Sequence, residues 1–184
     1  MAVTPGFSTE NQTYQIITTP LTYDAAVTAA EALGGSLAII TSKEEDEHIY
    51  GLLSSSSITS TADDAGGAKY AWIGLSDSVT EGTWKWLDGT TLSYSNWGSG
   101  NDNGTAFVSE PDNYGDGQDY AAIGLESWPS GAPFSYGSAS QWNDVGGENN
   151  LSYVVEIPKA GEDDGDQYDT EILAAASAVD ASIS

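Results

Sequence analysis

Ser109-Glu110-Pro111-Asp112-Asn113-Tyr114-Gly115-Asp116-Gly117-Gln118-Asp119 is the stretch around which the chain is organised. It holds the acids Glu110, Asp112, Asp116 and Asp119, the side-chain amides of Asn113 and Gln118, and Pro111 with two glycines. Nothing in it can build a packed core, and nearly every side chain offers oxygen. A second such cluster, Trp142-Asn143-Asp144, follows further along the chain. The apolar, β-rich run Tyr120–Leu125 separates them, and a second run, Tyr70–Leu75, lies upstream. Both read as buried strands.

Working outward, Tyr14–Thr18 reads as a strand, and Thr22 as the N-cap of a helix bearing Ala25, Ala26, Ala29, Ala30 and Leu33. Gly34-Gly35 ends that helix, because glycine tolerates the left-handed conformation. Leu37–Ile40 is a short apolar strand. Thr41 or Ser42 caps a second helix with Glu44 and Glu45 in its first turn, where the helix dipole favours acids. Residues 54–69 read as a low-complexity, mobile loop. Ser76–Gly82 is a polar loop, Thr83–Leu87 an alternating strand turned back at Asp88-Gly89, and Leu92–Tyr94 its return. No period survives from Ser95 to Asp119, and Trp128–Ser140 is a second irregular loop. Ser152–Ile157 is the closing strand. The order β, α, β, α and then strands with long loops is that of an α+β domain with an antiparallel sheet and two helices. The predicted domain is 12–158, with a lead-in at 1–11 and an acidic, then Ala/Ser-rich linker or tail at 159–184.

Charge narrows the partners. The 184 residues carry 28 acids against 4 bases, a formal charge of −24. Phosphate charge excludes nucleic acid, and anionic membranes are disfavoured for the same reason. Self-repulsion of this size calls for screening by salt or by bound divalent cations. Cysteine is absent, which removes disulfides, zinc-thiolate sites and thiol chemistry. The single His48 leaves no His-based metal site or triad, so no enzyme is expected. No apolar run of about 18 residues is present to span a membrane. Met1–Thr4 lacks the basic and apolar regions of a signal peptide, so the chain reads as a mature segment or a fragment of a larger protein.

The helix ending in Gly34-Gly35-Ser36-Leu37-Ala38, then Trp72-Ile73-Gly74-Leu75, Glu110-Pro111-Asp112 and Trp142-Asn143-Asp144, resembles in order the signatures of the C-type lectin-like domain. The resemblance spans Tyr14 to Ile157 and is to a bacterial-type, cysteine-free member. It implies antiparallel sheets with two helices and a long calcium-binding loop region. It places Ala30 with Val155, and Tyr120 with Gly147, about where the family's cysteine pairs stand. It also implies that Pro111 follows a cis bond.

By the same resemblance, one calcium site uses Glu110, Asp112, Gln118, Asn143 and Asp144, and a second uses Asp77, Glu81, Asn113 and Asp119. These residues offer oxygens of the kind Ca²⁺ takes six to eight of. The implied function is calcium-dependent glycan binding, as an adhesion module of an extracellular or cell-surface protein. The alternative is a protein- or peptide-binding domain with structural calcium. Glu110, Asp112, Gln118 and Asn143 would meet the ligand, with Trp128 and Tyr136 stacking on it or else pinning their own loop. Family members with Glu and Asn at the first and third motif positions take mannose-type sugars, and those with Gln and Asp take galactose-type sugars. Glu110 with Asp112 is neither pattern.

Overall fold

The computed structural model describes residues 12–101, 107–115 and 117–159. In chain order these form β1 (Gln12–Leu21), α1 (Tyr23–Ala32), β2 (Ser36–Leu37), α2 (Lys43–Ser54), a short 3₁₀ turn (Asp63–Ala65), β3 (Tyr70–Ser76), β4 (Lys85–Trp86), β5 (Ser99–Asn101), β6 (Phe107–Ser109), β7 (Tyr120–Gly124), β8 (Trp142–Val145) and β9 (Leu151–Pro158). The main sheet runs β1-β9-β3-β7-β8, with β2 added to β9 and β4 to β3, while β5 and β6 form a separate hairpin. This is the expected α+β architecture, antiparallel in all pairings but one. Strands β3 and β9 are parallel, with Ala71 opposite Ser152 and Trp72 opposite Tyr153.

Strand periodicity explains why β3 is apolar throughout. Its side chains alternate between two cores on opposite faces of the sheet. Tyr70 and Trp72 enter the core that α1 covers with Tyr23, Ala26 and Ala30. Ala71, Ile73 and Leu75 enter the core that α2 covers with Ile49 and Leu53. Two glycines make the layers fit. A Cβ on Gly74 would stand 2.7 Å from the Leu37 carbonyl oxygen, and one on Gly35 would stand 2.2 Å from that of Glu156. These close approaches lock the exit of α1 against the sheet.

Local capping follows the sequence at α2 and departs from it at α1. Ser42 accepts the Glu45 N–H at 3.2 Å, and the buried Glu45 carboxylate returns to the Thr41 N–H at 2.8 Å. Thr22 occupies the N-cap of α1 but makes no side-chain bond there. His48 lies exposed on α2 with its ring 5.9 Å from that of Tyr14.

The structure corrects several sequence expectations. The loop 54–69 is built into the fold: Ile58, Ala62, Ala65 and Ala68 are buried, and Thr61 bridges to Lys69. Small, spaced alanines gave no periodic signal, yet each fills a core position. The Leu37–Ile40 strand is reduced to Ser36–Leu37, and Thr83–Leu87 to Lys85–Trp86, while Leu92–Tyr94 lies in no strand. Conversely, the aperiodic stretch after Ser95 contains the β5–β6 hairpin, whose Ser99-Gly100-Asn101 strand has no apolar face to betray it. Trp142-Asn143-Asp144, assigned to no strand from the sequence, lies in strand β8. The lead-in at 1–11 and the tail from residue 160 lie outside the described residues.

The positions implied for cysteine pairs are filled by packing. Ala30 and Val155 are both fully buried in the same core. Tyr120 lies over Gly147, where a Cβ would come within 2.5 Å of its ring, and its ring centroid is 4.2 Å from that of Tyr23. Side-chain packing occupies the space at both positions.

Candidate calcium and ligand site

The site lies at the ends of strands that the sheet brings together. Strand β8 carries Asn143 and Asp144 in register with Ala122 and Ala121 of β7. Glu110 follows β6 directly, and its N–H donates to the Gly98 carbonyl at 2.9 Å. The Glu110–Pro111 bond is cis. Asp144, fully buried, accepts the backbone N–H groups of Asp112 at 3.2 Å and Asn113 at 2.7 Å. One carboxylate on a rigid strand therefore holds the loop that carries Asp112 and Asn113. The loop braces itself further: Asp112 Oδ1 and Gln118 Oε1 both accept the Tyr114 N–H, and Asn113 Oδ1 accepts the Gln118 N–H.

Two carboxylate triads result. Glu110, Asp112 and Asp144 each place one oxygen within 4.8 Å of the others, and so do Asp77, Glu81 and Asp119. The second triad forms because Asp77 directly follows β3 and Asp119 precedes β7, with the Asp77 N–H donating to the Asp119 carbonyl at 3.1 Å. Each triad contains a buried carboxylate oxygen, Glu110 Oε2 or Asp77 Oδ1, with no partner among the described residues. Leaving a charged group unsatisfied in this way is costly unless a cation supplies the missing interaction. Burial pushes the carboxyl of Glu110 up to about 8, offset in part by the Trp128 N–H and reinforced by the charges of Asp112 and Asp144. Asp144 rises to about 6, again chiefly by burial. Asp77 rises in the same direction through burial, offset by the Gly82 N–H. A divalent cation at either triad would reverse these shifts, so the donor sets fit calcium. When bound, the ion would supply charge neutralisation and open coordination positions.

The amides predicted as ligands are partly engaged within the protein. Gln118 is buried and donates its Nε2 to the Asp64 carbonyl at 3.0 Å, while its Oε1 takes the Tyr114 N–H at 2.7 Å. Asn143 donates to the Tyr70 hydroxyl at 2.9 Å, which in turn donates to the Ala65 carbonyl at 2.8 Å. The 3₁₀ turn therefore orients both amides. The Asp64 carboxylate completes this brace by accepting the Gly146 N–H at 2.9 Å and Asn149 Nδ2 at 2.7 Å. Sequence reading missed the turn, because its two aspartates sit in a stretch that reads as low complexity.

Trp128 is not an exposed stacking platform. Only 2% exposed, it donates its indole N–H to Glu110 Oε1 at 2.9 Å and so aims the other oxygen of that carboxylate. Three glycines make room for it: a Cβ at Gly98, Gly124 or Gly137 would come within 2.3, 2.6 or 1.9 Å of the indole ring. Tyr136 is half-buried and lines the cavity beside Glu110. Replacing Gly137 by alanine is expected to cost about 1–3 kcal/mol by overpacking and to displace Trp128 and Glu110 together. Titration calorimetry of Ca²⁺ on G137A checks this; wild-type affinity would show that Trp128 does not hold the carboxylate.

Comparison with known proteins agrees with this geometry. The family described as "Lectin C-type domain" matches residues 19–157. The chain is 38% identical over 106 residues to C-type lectin domain family 4 member M of Hylobates lar, a match covering 56% of this chain and 21% of that protein. It is 27% identical over 152 residues to halomucin of Haloquadratum walsbyi, covering 78% of this chain and 1% of that one. The mouse scavenger receptor C-type lectin carbohydrate-recognition domain superposes with a TM-score of 0.57 at 26% identity, covering 85% of this chain and 94% of that domain. The chain spans about a fifth of the length of the first of these relatives. Members of this family are binding proteins and not enzymes. With the matched span covering both helices, most of the main sheet and both carboxylate triads, the chain belongs to the C-type lectin domain family.

Proposed function

We propose that the domain binds carbohydrate in a calcium-dependent manner, with Glu110, Asp112, Gln118, Asn143 and Asp144 around one ion and Asp77, Glu81, Asn113 and Asp119 around a second. The observation that carries this reading is the pair of carboxylate triads, each with an orphaned buried oxygen. Carboxylates of one sign gathered round a buried member, Glu110 and Asp144 in one triad and Asp77 in the other, favour a bound cation. The family supplies the carbohydrate, since its solved relatives include a carbohydrate-recognition domain.

We further read the chain as a bacterial-type, cysteine-free module of a larger extracellular or cell-surface protein, with glycans or glycoproteins of a cell surface as partners. Supporting this are the small fraction of each relative that it matches and the formal charge of −24, which suits a saline or calcium-rich exterior. No described helix is long and apolar enough to cross a membrane. A protein or peptide ligand with structural calcium is the second reading, favoured by the engagement of the Gln118 and Asn143 amides inside the protein.

A glycan array probed with calcium and with excess chelator decides between them. Calcium-dependent spots are expected. A flat array, together with calcium-dependent melting, would overturn the carbohydrate reading in favour of the second.

A further inference from the structure

The cavity beside Glu110 is walled by two segments that lock onto each other. The Ser130 N–H donates to the Gly66 carbonyl at 2.8 Å, and a Cβ on Gly66 would lie 2.9 Å from Pro129 Cα. The 3₁₀ turn and the Trp128–Tyr136 segment thereby enclose a cavity of about 340 Å³, open on one side and floored by Glu110 and Asn143. That volume lies in the lower range of small-molecule sites.

The hydrogen-bonding groups of this cavity are lopsided. Glu110 is 7% exposed and its Oε2 has no partner. Asp63, Asp64 and Asp112 add three exposed carboxylates; that of Asp64 accepts from Gly146 and Asn149, whereas that of Asp63 has no hydrogen bond among the described residues. On the donor side, Gln118 and Asn143 each already give an amide N–H to the protein. No Lys, Arg or His lines the cavity, whereas the rings of Tyr114, 73% exposed, and Tyr136 do. Acceptors and π-faces predominate, and donors are scarce. A neutral hydroxyl brings one proton, but an ammonium brings three together with a positive charge. Tyrosine rings attract the same cation.

We propose that the cavity takes a sugar bearing a free, protonated amine, and that Asp63 selects the amine over its acetylated form. This rests on the calcium-dependent sugar binding proposed above. Calcium would offset two of the three charges of Glu110, Asp112 and Asp144, so the cavity stays net negative. Of the two exposed aspartates on its wall outside that triad, Asp64 is engaged by Gly146 and Asn149, which leaves the Asp63 carboxylate to meet a ligand. Acetylation of the ligand removes the positive charge and two of its donors, so it abolishes the match.

The test is calorimetric titration of the calcium-loaded protein at physiological salt. The probes are short β-linked glucosamine oligomers, their N-acetylated counterparts and neutral glucose oligomers. Preference for the free amine is expected, about tenfold or more in Kd, as for loss of a charge-assisted hydrogen bond. Asp63→Asn should erase that preference while leaving calcium affinity and melting temperature unchanged. Glu31→Gln, on α1 and outside the cavity, should leave it intact, which separates recognition from general attraction to an acidic protein. Equal or tighter binding of acetylated or neutral sugars would overturn the amine proposal and leave the lectin reading standing. Absence of all sugar binding with calcium bound would overturn both. Displacement of the amino sugar by a lysine peptide at equal concentration would point to a protein amine and likewise overturn it.

Discussion

Raising the pH of the calcium-free protein from 5 to 8 is expected to lower its melting temperature, and saturating calcium is expected to abolish or reverse that slope. The sign follows from buried carboxyls. Glu110 is raised from 4.5 to about 8, and Asp144 from 3.8 to about 6, both chiefly by burial. A carboxyl raised in the folded state still holds its proton where the unfolded chain has shed it. Its stabilising effect is therefore complete below the unfolded value and is lost as pH climbs through the folded one. Asp46, Asp77 and Glu156 are raised in the same direction by burial. Calcium replaces the protons with a divalent charge, so its affinity should rise over the same window.

Binding at 100 times the dissociation constant adds about 2.7 kcal/mol per site, or roughly 5–10 °C in a domain of this size. The domain also lacks the crosslinks that would otherwise constrain its unfolded state, each typically worth about 2–4 kcal/mol, which increases its reliance on the ion. Scanning calorimetry at fixed ionic strength, with calcium and with chelator, is the measurement. A chelator-insensitive melt, or a calcium-free melting temperature that climbs between pH 5 and 8, would refute the argument.

Replacing Asp46 by alanine is expected to destabilise the domain by about 3 kcal/mol or more. Asp46 lies on α2, is 2% exposed, and accepts three hydrogen bonds from distant parts of the chain. Trp142 Nε1 reaches Oδ1 at 2.8 Å, while Asn96 Nδ2 at 2.7 Å and the Tyr94 hydroxyl at 3.0 Å reach Oδ2. Removing the carboxylate orphans these donors inside a core where the rings of Trp86, Tyr94 and Trp97 each pack edge-on against Trp142. Because Trp142 precedes Asn143 and Asp144, calcium affinity should fall with stability. Urea unfolding gives the first quantity and calcium titration the second. A D46A protein within 1 kcal/mol of wild type would show that the three bonds contribute little, and Asp46→Asn, which keeps the shape and one acceptor, should lie between the two.

Asp46 also illustrates the limit of sequence reading. In a first turn rich in acids, its residue type does not set it apart from the exposed Glu44 and Glu47. Its spacing from Ile49 and Leu53 puts it on the buried face of α2, but only the tertiary structure shows that Trp142, Asn96 and Tyr94 meet it there. Glu110, Asp112 and Asp144 were legible because acid beside amide, glycine and proline has no use in a core. Asp77, Glu81 and Asp119 were grouped only by the resemblance to the C-type lectin-like domain; their own pattern shows no more than a polar loop after a buried strand.

By itself, then, the sequence determined the α+β class, the two helices and the buried strands, since these depend on local periodicity and caps, while the grouping of the acids came from the order of motifs that resembles the family. The tertiary structure alone decided what surrounds those acids. It buried Trp128 among Gly98, Gly124 and Gly137 against Glu110, turned the Gln118 and Asn143 amides toward Asp64 and Tyr70, and set Asp63 on the cavity wall. Each of these depends on contacts between residues far apart in the chain, where a side chain's role follows from what packs against it and leaves no local pattern.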